Sequence, residues 1–446
     1  MKKGIAIIFL ISLVMGCIQE QTKILPQGLE LPKGVEFIES YEMERKSRGS
    51  SLVAVSEDDF ITILEKNRIH VFDRTEGKKI LEYTCRGRIT HFVFSSDKEY
   101  LAISTANPNN ILLLNKKGKK FWEYRLDDDE EYQVKEINIS GDGSLVVVGL
   151  GAIESYRTRI YFIKNGKLIK SYTYPELETY LGVISTNYDG SYTVVGTGYL
   201  YSKITLFDKN GEILWEHKWK RRSKALFSNV TKAFISDDGT FGTAIYDDNC
   251  GACFFNEKGV FYDHEADPCS FIVSSCLNEK EVVLLNGDGR LSYIDKGGIK
   301  KEYIIWGDRV GHGLYDAEIL KNGEYILAQR YDNKNLIVLF TREGVLLWKK
   351  EIKEVIGFCA LNNKVVLYED AFEGNVSILN QKGQVIWSWS LKDSTDIIGV
   401  SLFDSRTPQS YKVCYSEEDS VFLTTKLIEE NKVKLFFFKI DLEALQ

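Results

Sequence analysis

The sequence predicts an all-β chain folded as a ring of about eight four-stranded sheets, a β-propeller, and three observations predict it. A glycine-centred hairpin recurs along the chain, an Asp-Gly turn lies upstream of most copies, and alternating apolar and polar runs flank both. The clearest hairpins are Asn115-Lys-Lys-Gly118-Lys-Lys-Phe-Trp122, Asp208-Lys-Asn-Gly211-Glu-Ile-Leu-Trp215, Thr341-Arg-Glu-Gly344-Val-Leu-Leu-Trp348 and Asn380-Gln-Lys-Gly383-Gln-Val-Ile-Trp387. In all four the tryptophan keeps one offset from the glycine. Weaker copies centre on Gly77, Gly166, Gly259 and Gly297, and the eight glycines are spaced by 41, 48, 45, 48, 38, 47 and 39 residues. That is the length of one four-stranded blade.

The second turn of the unit is read at Asp142-Gly143, Asp189-Gly190, Asp238-Gly239 and Asn322-Gly323. Each unit is therefore strand a, an Asp-Gly turn, strand b, a variable loop, strand c, the glycine hairpin and strand d. Four such strands cannot bury both faces alone, so units must stack around an axis. Residues 433–441 form a c strand with no hairpin after it, and residues 35–42 a strand with no unit of its own. Pairing the two closes the ring and hides exposed edges. Eight hairpins plus this composite blade exceed the commonest ring by one. The expectation is therefore eight blades, within a range of seven to nine, with an irregular unit near Gly297 or Gly77.

Composition narrows the partners. The 57 Lys and Arg stand against 64 Asp and Glu, a formal net charge of -7. No overall excess of positive charge exists to hold a nucleic-acid backbone. Aromatic residues make up 12% of the chain and prolines number only 6, which suits short pleated strands. At 446 residues, two or three domains would be the default, but a repeat enlarges a fold without enlarging any one core.

The first residues read as a processing signal. Lys2 and Lys3 precede an apolar stretch from Ile5 to Met15, too short for a comfortable membrane-spanning helix. It ends in Leu13-Val14-Met15-Gly16-Cys17, which resembles the lipobox of prokaryotic lipoproteins. The resemblance implies cleavage before Cys17, lipid on its sulfur and a membrane-anchored location at the cell surface or in the periplasm. Residues 1–16 are then the signal peptide, 17–33 a lipidated tether and 34–446 a single propeller domain.

Segments such as Ile204-Thr-Leu-Phe-Asp-Lys-Asn-Gly-Glu-Ile-Leu-Trp215 resemble the repeats of quinoprotein-like (PQQ-like) and related WD40-like propellers. The likeness covers nearly all of the chain beyond residue 35. It implies that Trp122, Trp215, Trp348 and Trp387 lock neighbouring blades together and are structural. It also brings in PQQ and Ca²⁺ as cofactors and arylsulfotransferase-like chemistry as an alternative. Against these, the chain has no adjacent Cys-Cys pair, and no catalytic acid or histidine of those families matches a position in it. In architecture a lipid-anchored propeller resembles the outer-membrane assembly scaffold lipoproteins of bacteria.

In this blade order the d–a and b–c loops share one face, and the short a–b and c–d turns share the other. Variable loops on a rigid scaffold are where function gathers. Asn249-Cys250-Gly-Ala-Cys253 occupies a b–c loop and Cys269 the next d–a loop. Two readings stay open: a disulfide from Cys250 or Cys253 to Cys269, or a metal site completed by His264, Asp267 or Asp247. Cys85, Cys359 and Cys414 read as buried small hydrophobes. Asp127-Asp-Asp-Glu-Glu131 fills one d–a loop, without the spacing of a dedicated calcium loop. Lys218-Trp219-Lys220-Arg221-Arg222-Ser-Lys224 fills another, as a loop for a partner protein, an acidic glycan or phospholipid headgroups. Asp308, Arg309 and His312 lie in the flexible Gly307–Gly313 loop, a ligand loop with no readable nucleophile beside it. The expected function is a non-catalytic binding or scaffold module for a protein, glycan or small ligand.

Overall fold

A computed structural model provides the fold. It describes residues 31–441 except 45–52, 57–59, 66, 74–75, 127–131, 153–156, 176–178, 200, 220–228, 237–241, 247–250, 266–271, 279–280, 287–289, 296–297, 305–313, 320–324, 332–334, 342, 353–354, 362–363, 370–374, 391–413, 418–419 and 429–431. Nine four-stranded antiparallel sheets are present among the described residues. Eight are consecutive a-b-c-d units: sheets 1 to 8 span residues 53–84, 88–125, 132–173, 179–218, 230–265, 272–304, 314–352 and 355–390. In the ninth, strands Cys414–Glu417, Ser420–Ile428 and Lys432–Asp441 supply a, b and c, and the N-terminal strand Val35–Glu44 supplies d. Val35 pairs with Ile440 and Glu44 with Lys432, so the two ends of the chain close the ring.

The count is nine where eight was expected, at the top of the expected range. Neither suspected weak unit is irregular. The units around Gly77 and Gly297 each form a complete four-stranded sheet, with other side chains on strand d packing where tryptophan does elsewhere. Leu81 fills that role in sheet 1, at 3% exposure and in contact with the Gly118 hairpin of sheet 2. Tyr303 fills it in sheet 6, further along strand d, under the Gly344 hairpin of sheet 7.

The core lies between blades. Along strand b of sheet 3 (Leu145–Ala152), Val146, Val148 and Leu150 join a cluster with Ala102, Ile111 and Leu113 of sheet 2. The intervening Leu145 and Val147 join Leu181, Ile184, Val195 and Phe207 of sheet 4. Strand c of the same sheet divides likewise, Tyr161 and Ile163 to one side, Ile160 and Phe162 to the other. A period of two therefore sends successive side chains to different neighbours. Both faces are buried, so these strands read as continuous apolar runs. Strand d of sheet 3 (Lys167–Thr173) has no partner beyond it and alternates between exposed and partly buried residues.

The four tryptophans sit where the repeat put them. A register shift in each c–d hairpin sets Leu113 opposite Trp122, Leu206 opposite Trp215, Leu339 opposite Trp348 and Ile378 opposite Trp387. That bulge turns the ring towards the following blade. Trp122 lies under Gly166, where an added Cβ would stand 2.9 Å from its own Cβ, and Trp348 lies under Gly383, with 2.8 Å to its ring. Both glycines also hold positive φ, +71 and +74, so the turn and the close approach demand the same residue. The Trp215 indole N–H donates to the Asn256 carbonyl of sheet 5 at 2.9 Å. Trp389 meets Phe438 edge-on at 5.1 Å, joining sheet 8 to the composite sheet.

Candidate functional site

The direction of the strands fixes the two faces. Strand a runs towards the a–b turn and strand d away from the c–d hairpin, so both turn types lie on one face and the d–a and b–c loops on the other. On the turn face, a side-chain oxygen caps each described a–b turn. Asp142 Oδ1 accepts the Ser140 hydroxyl at 2.7 Å and the Ser144 amide at 2.9 Å. Asp189 does the same with the Asn187 amide group and the Ser191 N–H. Sheet 2 has an equivalent turn at Asp97-Lys98, with Lys98 at φ 61 in the glycine position. The Asp-Gly pattern could not reveal it.

The N-terminal strand is a d strand, so it starts on the turn face. There the Asp441 amide donates to the Gly34 carbonyl at 2.8 Å, and the Val35 amide to the Pro32 carbonyl at 3.1 Å. Pro32 and Gly34 therefore lie on the side opposite the variable loops.

The first strands pack side by side around the axis, sheet 2 against sheet 3, sheet 3 against 4, and sheet 4 against 5. Six of them carry a bulge near their loop-face end, between Ile89/His91, Val134/Glu136, Leu181/Val183, Val230/Lys232, Leu314/Asp316 and Val355/Gly357. His91, Glu136, Lys232 and Asp316 thus occupy equivalent positions on inner strands of the ring. Glu136 Oε1 accepts the Ile184 amide of sheet 4 at 3.0 Å, tying sheet 3 to its neighbour. Burial pushes the Glu136 carboxyl up to about 8, against the opposing pull of that hydrogen bond. Burial, helped by the Lys135 ammonium, lowers His91 to about 4. His91 Nδ1 lies 3.4 Å from the Ser104 hydroxyl. His91, Lys135 and Glu136 were not singled out from the sequence, whose one signal here is the adjacent pair Lys135-Glu136 inside an otherwise alternating inner strand.

The raised Glu136 has a consequence for stability. Its folded-state pKa exceeds the ordinary carboxyl value, so its contribution is full below about 4.5 and is lost as pH rises through about 8. Glu136→Gln keeps an acceptor for Ile184 and removes the ionisation. It is expected to raise stability against urea at alkaline pH, by on the order of a few kcal/mol, and to leave it nearly unchanged near pH 4.5. A variant that gains no stability at alkaline pH would contradict the burial of this carboxyl.

The sequence-derived sites divide. Cys17, Cys250, Cys269, Lys220, Arg221, Arg222, Asp308, Arg309 and His312 lie outside the described residues, as do the acidic run 127–131, Asp247 and Asp267. Cys253 is corrected. It lies not in a loop but in strand c of sheet 5 (Gly251–Asn256), paired with Ala244 and Asp263 and fully buried as a free thiol. Strand alternation turns it into the core cluster with Val194, Leu206 and Phe255. Among the described residues no group of three or more His, Cys, Asp and Glu side chains could hold a metal ion.

Cys85 is buried in the cluster between sheets 1 and 2, in keeping with its reading as a small hydrophobe. Burial pushes its thiol up to about 12 and raises that of Cys253 well above the ordinary range. Only the thiolate reacts. Iodoacetamide at mildly alkaline pH is therefore expected to leave Cys85 and Cys253 unlabelled in the native protein and to label both in urea. Peptide mass mapping reads this directly, and native labelling of Cys253 would return it to the loop.

Trp219 is also corrected. Expected in the exposed basic loop, it is 3% exposed, and its indole donates to Asp263 Oδ2 of sheet 5 at 2.9 Å. The His217 ring stacks edge-on against it at 4.8 Å. It packs with Val230, Ile235 and Cys253 as the last anchor after strand d before the loop begins. Lys218 is exposed, with its ammonium over the Tyr201 ring at 3.1 Å.

On the turn face a shallow depression of about 450 Å³ lies between sheets 4 and 5, lined by Tyr192, Asp208, Lys209, Leu214, Glu257 and Lys258. The Tyr192 hydroxyl donates to Glu257 Oε2 at 3.3 Å across it.

No protein-family model matches the chain, and no curated protein is similar to it in sequence. Among solved structures, one described as a eukaryotic initiation factor superposes with a TM-score of 0.54 at 11% identity, over 78% of this chain and 90% of that one. BamB from Moraxella catarrhalis gives 0.45 at 13% identity, over 90% and 99%. The C-terminal WD40 domain of Sif2 gives 0.45 at 11%, over 91% and 99%. At such identities the first likeness is one of fold alone, and the other two overlap too loosely to add to it.

Proposed function

We propose that this β-propeller is a lipid-anchored, non-catalytic scaffold, held to the outside of a membrane through Cys17 and presenting its d–a and b–c loops to a protein or glycan partner. The observation that carries the reading is the polarity of the ring. The chain leading from Cys17 meets the turn face at Gly34, where Asp441 fastens it. An anchor there turns the longer loops outward, away from the lipid. Those loops hold the basic segment Lys220-Arg221-Arg222 and the Asp308, Arg309 and His312 loop. A ring built from interlocked blades also supplies the rigidity that a docking surface needs.

The test is affinity capture of the full chain from solubilised membranes, with a tag at its C-terminus. One stoichiometric partner, lost when Lys220, Arg221 and Arg222 are all replaced by Ala, is the expected result. Recovery unchanged by the triple substitution would remove the basic loop from the reading. Metabolic labelling with a radioactive fatty acid, abolished by Cys17→Ser, tests the anchor separately.

A further inference from the structure

We infer that the turn face of sheets 2 and 3 is itself a docking surface for an anionic phospholipid bilayer. The inference deepens the anchored reading and rests on it, because it says which way the ring stands on the membrane.

The c–d hairpin of sheet 2 reads Asn115-Lys-Lys-Gly-Lys-Lys120, and that of sheet 3 reads Lys164-Asn-Gly-Lys167. The two are contiguous, since Gly166 of the second rests on Trp122 of the first. Acidic groups on this face are already engaged. Glu99 pairs with Lys116, Glu123 with Lys120 at 2.5 Å, and Glu212 with Lys170 at 2.6 Å. Asp97 and Asp142 are taken up in capping their own turns. Four exposed lysines, Lys117, Lys119, Lys164 and Lys167, have no ion-pair partner among the described residues, and they outnumber the two turn-capping carboxylates, which keep their charge, so the face is net positive.

Apolar side chains accompany them. Phe121 is 51% exposed and Ile169 is 41% exposed, each three residues past its hairpin glycine. Exposed lysines beside an exposed aromatic ring suit the headgroup zone of a bilayer, where the ammonium groups meet phosphate and the ring enters the acyl boundary. A protein partner would match the charge equally well, but the N-terminal segment decides between them. It reaches the ring on this same face, at Gly34, and only the 16 residues 18–33 separate that point from Cys17, which keeps the face near the anchor. A basic surface beside a lipid anchor adds a second attachment signal, of the kind that makes membrane binding durable.

The test is co-sedimentation of the full chain carrying Cys17→Ser with vesicles of phosphatidylcholine alone and with phosphatidylglycerol added. Binding is expected only to the anionic vesicles and is expected to weaken steeply with salt. Each lysine contributes roughly fivefold to partitioning. Replacing Lys117, Lys119, Lys164 and Lys167 by Glu is therefore expected to lower binding at least about a hundredfold without moving the thermal midpoint. Phe121→Ser with Ile169→Ser is expected to lower it several-fold at constant salt. Equal binding by the parent and the lysine variant would overturn the inference, as would capture by heparin without capture by anionic vesicles. The outcome is separable from the anchor: absence of lipid on Cys17 with vesicle binding intact would remove the tether and leave this surface standing.

Discussion

Gly182→Ala is expected to destabilise the ring by about 2–4 kcal/mol, well beyond the usual effect of one added methyl group. Gly182 is the bulge residue of strand Thr179–Thr186, where the inner strand of sheet 4 meets that of sheet 5. A Cβ there would stand 2.1 Å from the Val230 carbonyl oxygen and 2.4 Å from Asn229 Oδ1. The nearer obstacle is backbone, so no rotamer change relieves it, and the two blades must separate locally. Gly196, across the strand pair, is crowded by the Val230 side chain at 2.6 Å, so both glycines form the seat into which Val230 is fully buried. Gly259→Ala is the contrast. Its φ of +133 strains an alanine, but nothing lies within 4 Å, and a loss nearer to about 1 kcal/mol is expected. Urea midpoints of the two variants, measured together, check the order, and a Gly182 variant no weaker than the Gly259 variant would refute the close approach of the blades.

Trp219→Ala is expected to cost about 3–5 kcal/mol, the range for truncating a buried tryptophan. The loss has two sources. A large void opens between sheets 4 and 5 beside Val230, Ile235 and Cys253, and Asp263 loses the indole donor at 2.9 Å. Trp219→Phe retains much of the packing without the donor and is expected to fall between the two. A residue exposed in a partner-binding loop would change stability by less than about 0.5 kcal/mol. Denaturation therefore distinguishes the buried anchor from the loop residue. A Trp219→Ala variant as stable as the parent would restore the residue to the binding surface.

These two positions mark where pattern and packing part company. The repeat made the blades legible because each repeats one chemical necessity: a glycine where the hairpin needs positive φ, and a large residue on the strand after it to fill the gap beneath the next hairpin. Trp122 and Trp348 follow that rule under Gly166 and Gly383 and were readable, and Trp215 reaches the next hairpin through the Asn256 carbonyl. Leu81 and Tyr303 perform the same packing with other side chains, which is why their units looked weak and the blade number was underestimated. Trp219 misled for a related reason. It stands between Lys218 and Lys220, and charged neighbours in sequence suggest an exposed loop, whereas the chain keeps its strand direction far enough to turn the ring inward.

The site was less legible than the fold. Cys250 and Cys253 share a short motif, yet Cys253 belongs to strand c, where its direction is set by the pairing with Ala244 and Asp263. The buried Glu136 carboxyl could not be recognised at all, since the Ile184 amide that it accepts is 48 residues away. The basic face of sheets 2 and 3 was present as letters, in Lys116 to Lys120 and Lys164 to Lys167. Its surplus charge became visible only once Glu99, Glu123 and Glu212 were seen to be engaged.

What the sequence by itself determined is the blade: strand order, hairpin chemistry and the pairing of the chain's two ends, all fixed by interactions within about fifty residues or by the leftover strands. Only the tertiary structure decided the number of blades, the burial of Trp219 and Cys253, the ionisation of Glu136 and the face on which the chain's first segment meets the ring. Each of those depends on which atoms a neighbouring blade brings within a few ångströms, and a local pattern carries no information about its neighbour's side chains.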